Sequence, residues 1–264
     1  MAGVQQGASE LDLSGRTALV TGSGRNIGRA IVLALAGRGA NVVVNVRSNT
    51  AEGEAVVKAA RALGSPAALL VVGDAADPET IQTFRATIER EFGSLDIYVS
   101  NAARRLHKTF DETTDEDWHR HLNMQLTASW YLSKAFVPGM RSKQWGRVIH
   151  ILGPDGWFGG HTRLPHSAAK GALHTFTKGL AWELGADGIT VNNVVPGFTR
   201  TVRDPATHPQ IDAAYTERAL EHIPIRRQVE PDEVAWACEF LCAERSGGIT
   251  GASVHVDGGQ YVLS

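Results

Sequence analysis

Cysteine is nearly missing from this chain: two occur in 264 residues, Cys238 and Cys242. Four apart on a predicted helix they share a face, yet a bridge inside one helix strains disulfide geometry. They read as buried thiols in a reducing cytoplasm rather than as a redox or metal pair. Charge of one sign is missing too, since 26 Lys and Arg face 28 Asp and Glu, a net charge of -2. No basic field invites nucleic acid or an anionic membrane, and neither is expected as a partner. Apolar runs stop at strand length, short of the roughly 18 residues of a spanning helix. The stretch Met1–Ser14 is polar and acidic, unlike a signal peptide, and residues 1–12 are expected to be flexible. A cytoplasmic location is the expectation. His119 and His121 are two apart on a predicted helix and point to different faces, and no other His, Cys or carboxylate spacing suits a metal, so none is expected.

The remaining composition, 43% hydrophobic and 20% charged, is that of a globular protein and excludes disorder, a coiled coil and a collagen-like repeat. Near-continuous apolar runs at Thr17–Val20, Asn41–Val46, Ala67–Val72, Asp96–Ser100, Arg147–Leu152, Thr190–Val195 and Ser253–Val256 read as parallel strands covered on both faces. Helical patterns fall between them, at Asn26–Arg38, Ala51–Leu63, Pro78–Phe92, Asp115–Met140, His166–Gly185 and Pro231–Ala243. Alternating strands and helices predict an α/β fold: a single Rossmann-type, doubly wound parallel sheet with helices on both faces. No linker or compositional break divides the chain, so residues 1–264 are expected to form one domain. The segment 199–230 is the least regular and contains Pro205, Pro209 and Pro224. It reads as a substrate lid or as a variable surface loop.

The first strand runs through Thr21-Gly22-Ser23-Gly24-Arg25-Asn26-Ile27-Gly28 straight into a helix. Glycines at such a turn let backbone approach a pyrophosphate, and helix N–H groups and dipole favour its charge. With this motif the chain resembles the short-chain dehydrogenases/reductases, from Leu13 to about Gln260. Their Thr-Gly-x-x-x-Gly-x-Gly motif is matched at Thr21, Gly22 and Gly28, with Asn26 in place of the middle glycine. Asp74-Ala75 looks like the adenine-contacting segment, and Ser100-Asn101-Ala102-Ala103 like the segment after strand four. Asn192, Pro196-Gly197, Thr199 and Thr201 look like the nicotinamide-holding segment. Ile249-Thr250-Gly251 and Val256-Asp257-Gly258-Gly259 look like the C-terminal signature. The resemblance implies a homotetramer or dimer, and Lys170 holding the nicotinamide ribose. At the end of strand two, where NAD enzymes carry Asp or Glu, stands Val46 followed by Arg47 and Ser48. Arg25 lies close by in the glycine loop. Two guanidiniums and no carboxylate suit a 2′-phosphate, so NADP(H) is expected over NAD(H).

The family's catalytic Tyr, Ser and Asn are another absence. Lys170 is present, but the Tyr position is His166, the Ser position thirteen residues earlier is Gly153, and the relay Asn position is Gln125. None of the four tyrosines can be slid into place. His166 reads either as a base, its proton affinity lowered further by Lys170 one turn away, or as a remnant lining an inherited pocket. Asp155 reads as a substitute acid or base, or as a turn cap. Gly153 offers a backbone N–H and room. Arg104, Arg105, His107, His161, Arg163, Arg200 and Arg203 near the cleft, with Trp157 and Phe158 as an aromatic wall, read as a site for an anionic small molecule with an aromatic or extended apolar part, or as solvated loops and subunit contacts. Three readings follow. The first is an atypical NADP(H)-dependent oxidoreductase acting on a small carbonyl, imine or activated alkene. The second is a non-redox lyase, isomerase or carbon–carbon bond enzyme using His166 or Asp155 as base. The third is a non-catalytic cofactor-binding subunit or sensor, in a mixed oligomer with an active relative.

Overall fold

The computed structural model describes residues 11–202 and 212–261. The N-terminal ten residues, Arg203, Pro205 and Pro209 lie outside the described residues. The strands are β1 (Thr17–Val20), β2 (Asn41–Val46), β3 (Ala68–Val72), β4 (Ile97–Ser100), β5 (Gly146–Ile151), β6 (Ile189–Pro196) and β7 (Ser253–Val256). They form one parallel sheet in the order β3-β2-β1-β4-β5-β6-β7. The order reverses between β1 and β4, which opens a crevice at their carboxyl ends. The helices are α1 (Asn26–Gly37), α2 (Thr50–Ala62), α3 (Pro78–Phe92), α4 (Asp115–Leu122), α5 (Ala128–Lys143), α6 (Asp155–Phe158), α7 (Leu164–Leu184), α8 (Ala213–Glu221) and α9 (Pro231–Cys242).

Successive strand residues point to opposite faces, and two core layers result. Val20 and Val44 join Ile31 and Leu35 of α1, Val56 of α2, and Cys238 and Leu241 of α9. Leu19 and Tyr98 join Phe84 of α3, Leu132 and Met140 of α5, and Leu184 of α7 on the other face. Both thiols are buried within the first layer, and burial pushes the Cys242 thiol up to about 12.

Three elements differ from the periodic reading. The single helix expected over Asp115–Met140 is interrupted by a π-helical turn at Asn123–Thr127, closed by the Ala128 N–H on the Asn123 carbonyl. The Ser129 hydroxyl donates to the Gln125 carbonyl at 2.9 Å, and that of Ser133 to the Ser129 carbonyl at 2.7 Å, a type of back-bonding that bends helices. Helix α7 begins at Leu164, two residues before His166, because Pro165 fits a first turn. The 199–230 segment is not irregular throughout. It contains α8, started by Asp212, whose carboxylate accepts from the Tyr215 N–H at 2.6 Å.

Candidate active site

The glycine loop is held from behind by Ser23 and Asn101, which the motifs contain, and by Asn45, which pattern reading passed over. Asn45 interrupts the apolar run of β2, and its Oδ1 accepts from the Gly22 N–H at 3.1 Å. Its amide donates to the carbonyls of Val71 and Gly73 at 3.3 and 3.2 Å. The Ser23 hydroxyl donates to the Val20 carbonyl at 2.8 Å. From the other flank Asn101 donates to the Thr21 and Gly22 carbonyls at 2.9 and 3.1 Å. The N–H groups of Asn101 and Ala102 both donate to the Thr21 hydroxyl at 3.0 Å. Gly22 has φ +62, and a Cβ on Gly28 would lie 2.5 Å from the Gly22 carbonyl oxygen. These contacts demand glycine at both positions.

No side chain caps the N-terminus of α1, and its first turn holds no acidic residue. By contrast α2, α3, α4 and α8 are capped by Asn49, Asp77, Thr114 and Asp212. The open donors of α1 therefore suit an anion, which is what the pyrophosphate of a dinucleotide supplies. Arg25, Arg47 and Ser48 are exposed around the end of β2. Asp74 is half-buried and bonds the Ala76 N–H at 2.9 Å, beside the buried Ala75. Pro196 ends β6, Gly197 lies against Asp257 so closely that a Cβ would come within 2.7 Å of it, and Thr199 is buried. Ile27, Ala102 and Thr201 are half-buried. The groove thus fits a dinucleotide along the carboxyl ends of β1, β4 and β6.

At the catalytic positions the π-helical turn brings Gln125 inward and α7 supplies His166 and Lys170. All three are at most 4% exposed. Gln125 Nε2 lies 3.2 Å from His166 Nδ1, and His166 Nε2 lies 3.6 Å from Asp155 Oδ2. The same carboxylate oxygen is 3.1 Å from the Arg163 guanidinium. A carboxylate on the Nε2 side calls for the ring proton there, so Nδ1 accepts from the Gln125 amide. Burial first, then Lys170, Arg105, His121 and Arg163, drive the His166 pKa down to about 2. The ring is a neutral N–H donor near neutrality.

Lys170 donates to the Ile151 carbonyl at 2.6 Å. Burial, then Arg105, lowers its pKa to about 7, with Asp155 opposing. The buried atoms His166 Nε2, Asp155 Oδ2 and Gln125 Oε1 make no hydrogen bond. Gly153 stands on the same loop as Asp155, with nothing within 4 Å of where its Cβ would be.

The remaining cleft charges sort themselves. Arg200 pairs with Glu230 at 3.0 Å, and Arg163 is committed to Asp155. Arg105 is exposed as a residue, although its guanidinium is crowded enough for desolvation to lower its pKa, and it acts on Asp155, Lys170 and His166. Tyr261 stacks on Phe158, rings 5.2 Å apart, and Tyr215 meets Phe198 edge-on at 6.0 Å. Among the described residues, no phenol is hydrogen-bonded to His166 or Lys170.

The family model for enoyl-(acyl carrier protein) reductases matches residues 22–260. The 3-oxoacyl-(acyl carrier protein) reductase of Vibrio harveyi is 36% identical over 253 residues, 96% of this chain and 100% of that protein. Its Haemophilus influenzae counterpart is 37% identical over 251 residues, 95% of this chain and 100% of that one. Among solved structures, a gluconate 5-dehydrogenase from Burkholderia cenocepacia in complex with NADP and tartrate superposes with a TM-score of 0.88 at 29% identity, covering 97% of this chain and 98% of that one. YwfH, an NADPH-dependent reductase involved in bacilysin biosynthesis, gives 0.87 at 29%, covering 93% and 98%.

Proposed function

The chain belongs to the short-chain dehydrogenase/reductase family of NAD(P)-dependent oxidoreductases, and from that premise we propose that it uses NADP(H) to reduce a small carbonyl, imine or activated-alkene substrate by way of a centre built on His166 and Lys170. The observation that carries this is the buried Nε2–H of His166, which makes no hydrogen bond and lies 3.6 Å from Asp155 Oδ2. A reacting oxygen or nitrogen placed there gains a hydrogen bond the protein itself leaves unmade, and a preorganised donor in a dry site is a large catalytic term.

NADPH, when bound, supplies the hydride. The chain's own residues do the rest. Asp155 and Gln125 hold the imidazole in one tautomer and orientation. His166 polarises the substrate but is a poor proton source, since a neutral imidazole gives up its N–H reluctantly. Lys170 changes protonation near neutral pH and can hold or release a proton at Nζ. Reduction is therefore expected to slow as pH rises through about 7. A base role for His166 would need a free ring acceptor, and Nδ1 is occupied by Gln125, which weighs against the non-redox reading with His166, though not with Asp155, as its base.

Support for NADP(H) comes from Arg25 and Arg47 beside the end of β2 and from the NADP-bound relative. Arg105, an exposed cleft guanidinium whose charge acts on Asp155, Lys170 and His166, supports an anionic substrate. The tartrate in that same relative is a dicarboxylate. A homo-oligomer belongs to this proposal, with Trp130 and Trp182 exposed on α5 and α7 as apolar contact area.

The test is consumption of NADPH with a panel of small oxo acids, their neutral esters, imines and conjugated enoates. Turnover is expected, with acids favoured over esters, and His166→Leu should lower kcat/KM about 10²–10³-fold. Cofactor binding without turnover across the panel, or reduction that appears only in the paired variant His166→Tyr with Gly153→Ser, overturns the proposal.

A further inference from the structure

Asn26 stands where the glycine motif has its middle glycine, and its backbone is left-handed, with φ +51. Glycine adopts that conformation without cost, whereas an L side chain is strained there. The side chain has a use. Its amide donates to the Val202 carbonyl at 3.0 Å, and its Oδ1 accepts from the Val202 N–H at 2.9 Å. One carboxamide thus closes a two-way pair with the backbone N–H and C=O of a single residue 176 positions along the chain.

The strand end it reaches is anchored on its other flank. Gly197 N–H donates to the Val256 carbonyl at 3.1 Å, Arg200 N–H to that of Val229 at 2.8 Å, and Phe198 N–H to Gln260 Oε1 at 3.1 Å. Residues 197–202 therefore run from the β7 side of the sheet to the start of α1. They cross the crevice between β6 and the glycine loop, along which a dinucleotide would lie between the open N-terminus of α1 and Pro196.

We propose that Asn26 is a clasp residue: its pair with Val202 ties the segment after β6 to the glycine loop across the dinucleotide groove, so that cofactor enters and leaves only when the pair opens. The clasp governs cofactor exchange, not the chemistry at His166. It rests on the dinucleotide-binding reading above. On this proposal the pair is closed both before and after cofactor binds, so opening it precedes passage in both directions. Removing it should then raise the association and dissociation rates together and leave the equilibrium Kd almost unchanged. A residue that merely ligated the pyrophosphate would act on dissociation and Kd.

The variant is Asn26→Gly, which restores the unstrained backbone. Two solvent-exposed hydrogen bonds are lost, so stopped-flow NADPH binding, followed by energy transfer from tryptophan, should show both rates up by a few-fold to tenfold, roughly. Asn26→Asp, which keeps only the acceptor for the Val202 N–H, should fall between. Hydrogen exchange in the cofactor-free protein reads the pair itself: the Val202 amide should be protected in the wild type and lose protection in Asn26→Gly. Unchanged rates, a rise in dissociation alone with a weaker Kd, or an unprotected Val202 amide in the wild type overturns the clasp. A wild type that binds no dinucleotide while its Val202 amide stays protected overturns the functional reading and, with it, the gating role.

Discussion

His150 lies on β5 with its ring fully buried and Nδ1 against the Thr177 hydroxyl at 2.7 Å. Burial first, then Lys170, lowers its pKa to about 3, and His166 behaves in the same way. Each ring is neutral when folded and titrates at its ordinary value of about 6.5 when unfolded. Below that pH the unfolded chain binds the extra protons, so stability is fully present above about 6.5 and is lost as pH falls. The slope is about 1.4 kcal/mol per pH unit for each ring, down to the folded pKa. Urea unfolding between about pH 6 and 4 should show His150→Gln flattening the acid slope by about that amount relative to the wild type; parallel slopes would refute it. The resemblance, through the spacing of His166 to Lys170 and Gly153, is what assigns His166 to the tyrosine position. That its ring presents a donor was not legible in the sequence, because Gln125 and Asp155 reach it from a π-helical turn and from another loop.

At the scale of elements, the glycine loop depends on β2 as much as on its own glycines. Asn45 is buried, and its side chain takes the Gly22 N–H while donating to two carbonyls that lead out of β3. Replacing it by valine keeps the volume but leaves those groups without partners, at a cost of about 1–3 kcal/mol. Asn45→Val should lower the denaturation midpoint and weaken NADPH binding at least tenfold, as titration by fluorescence would read; unaltered affinity would show that the loop holds its shape unaided. A polar residue inside Val-Val-Val-Asn-Val was the visible signal, and pattern reading took it for one more strand position. The split of the long helix at Asn123–Thr127 gave less warning. It is closed by the Ala128 N–H on the Asn123 carbonyl, with the Ser129 hydroxyl bonding back to Gln125 beside it, contacts which no period reveals.

For the whole molecule, no helix among the described residues is long and apolar enough to cross a membrane. The parallel sheet places every strand's carboxyl end, and so every candidate residue, on one edge. Ligand bound there couples to global stability. NADPH at a hundred times its Kd should add about 2.7 kcal/mol, a rise in Tm of roughly 5–10 °C for a domain of this size. The doubly substituted Arg25→Ala, Arg47→Ala should lose most of that rise with NADPH and little with NADH, and added salt should narrow the wild type's preference. An equal shift from both cofactors in the wild type would remove the 2′-phosphate reading.

The order of the seven strands, the glycine turn and a lysine four residues after a histidine were all determined by the sequence, because each is a local pattern whose period or spacing is written in consecutive residues. Tertiary structure alone decided which nitrogen of His166 carries its proton, which arginines are already spent on Asp155 and Glu230, and that Asn26 grips Val202. Those are contacts between segments far apart in the chain, set by how the sheet and helices pack, and no run of residues records them.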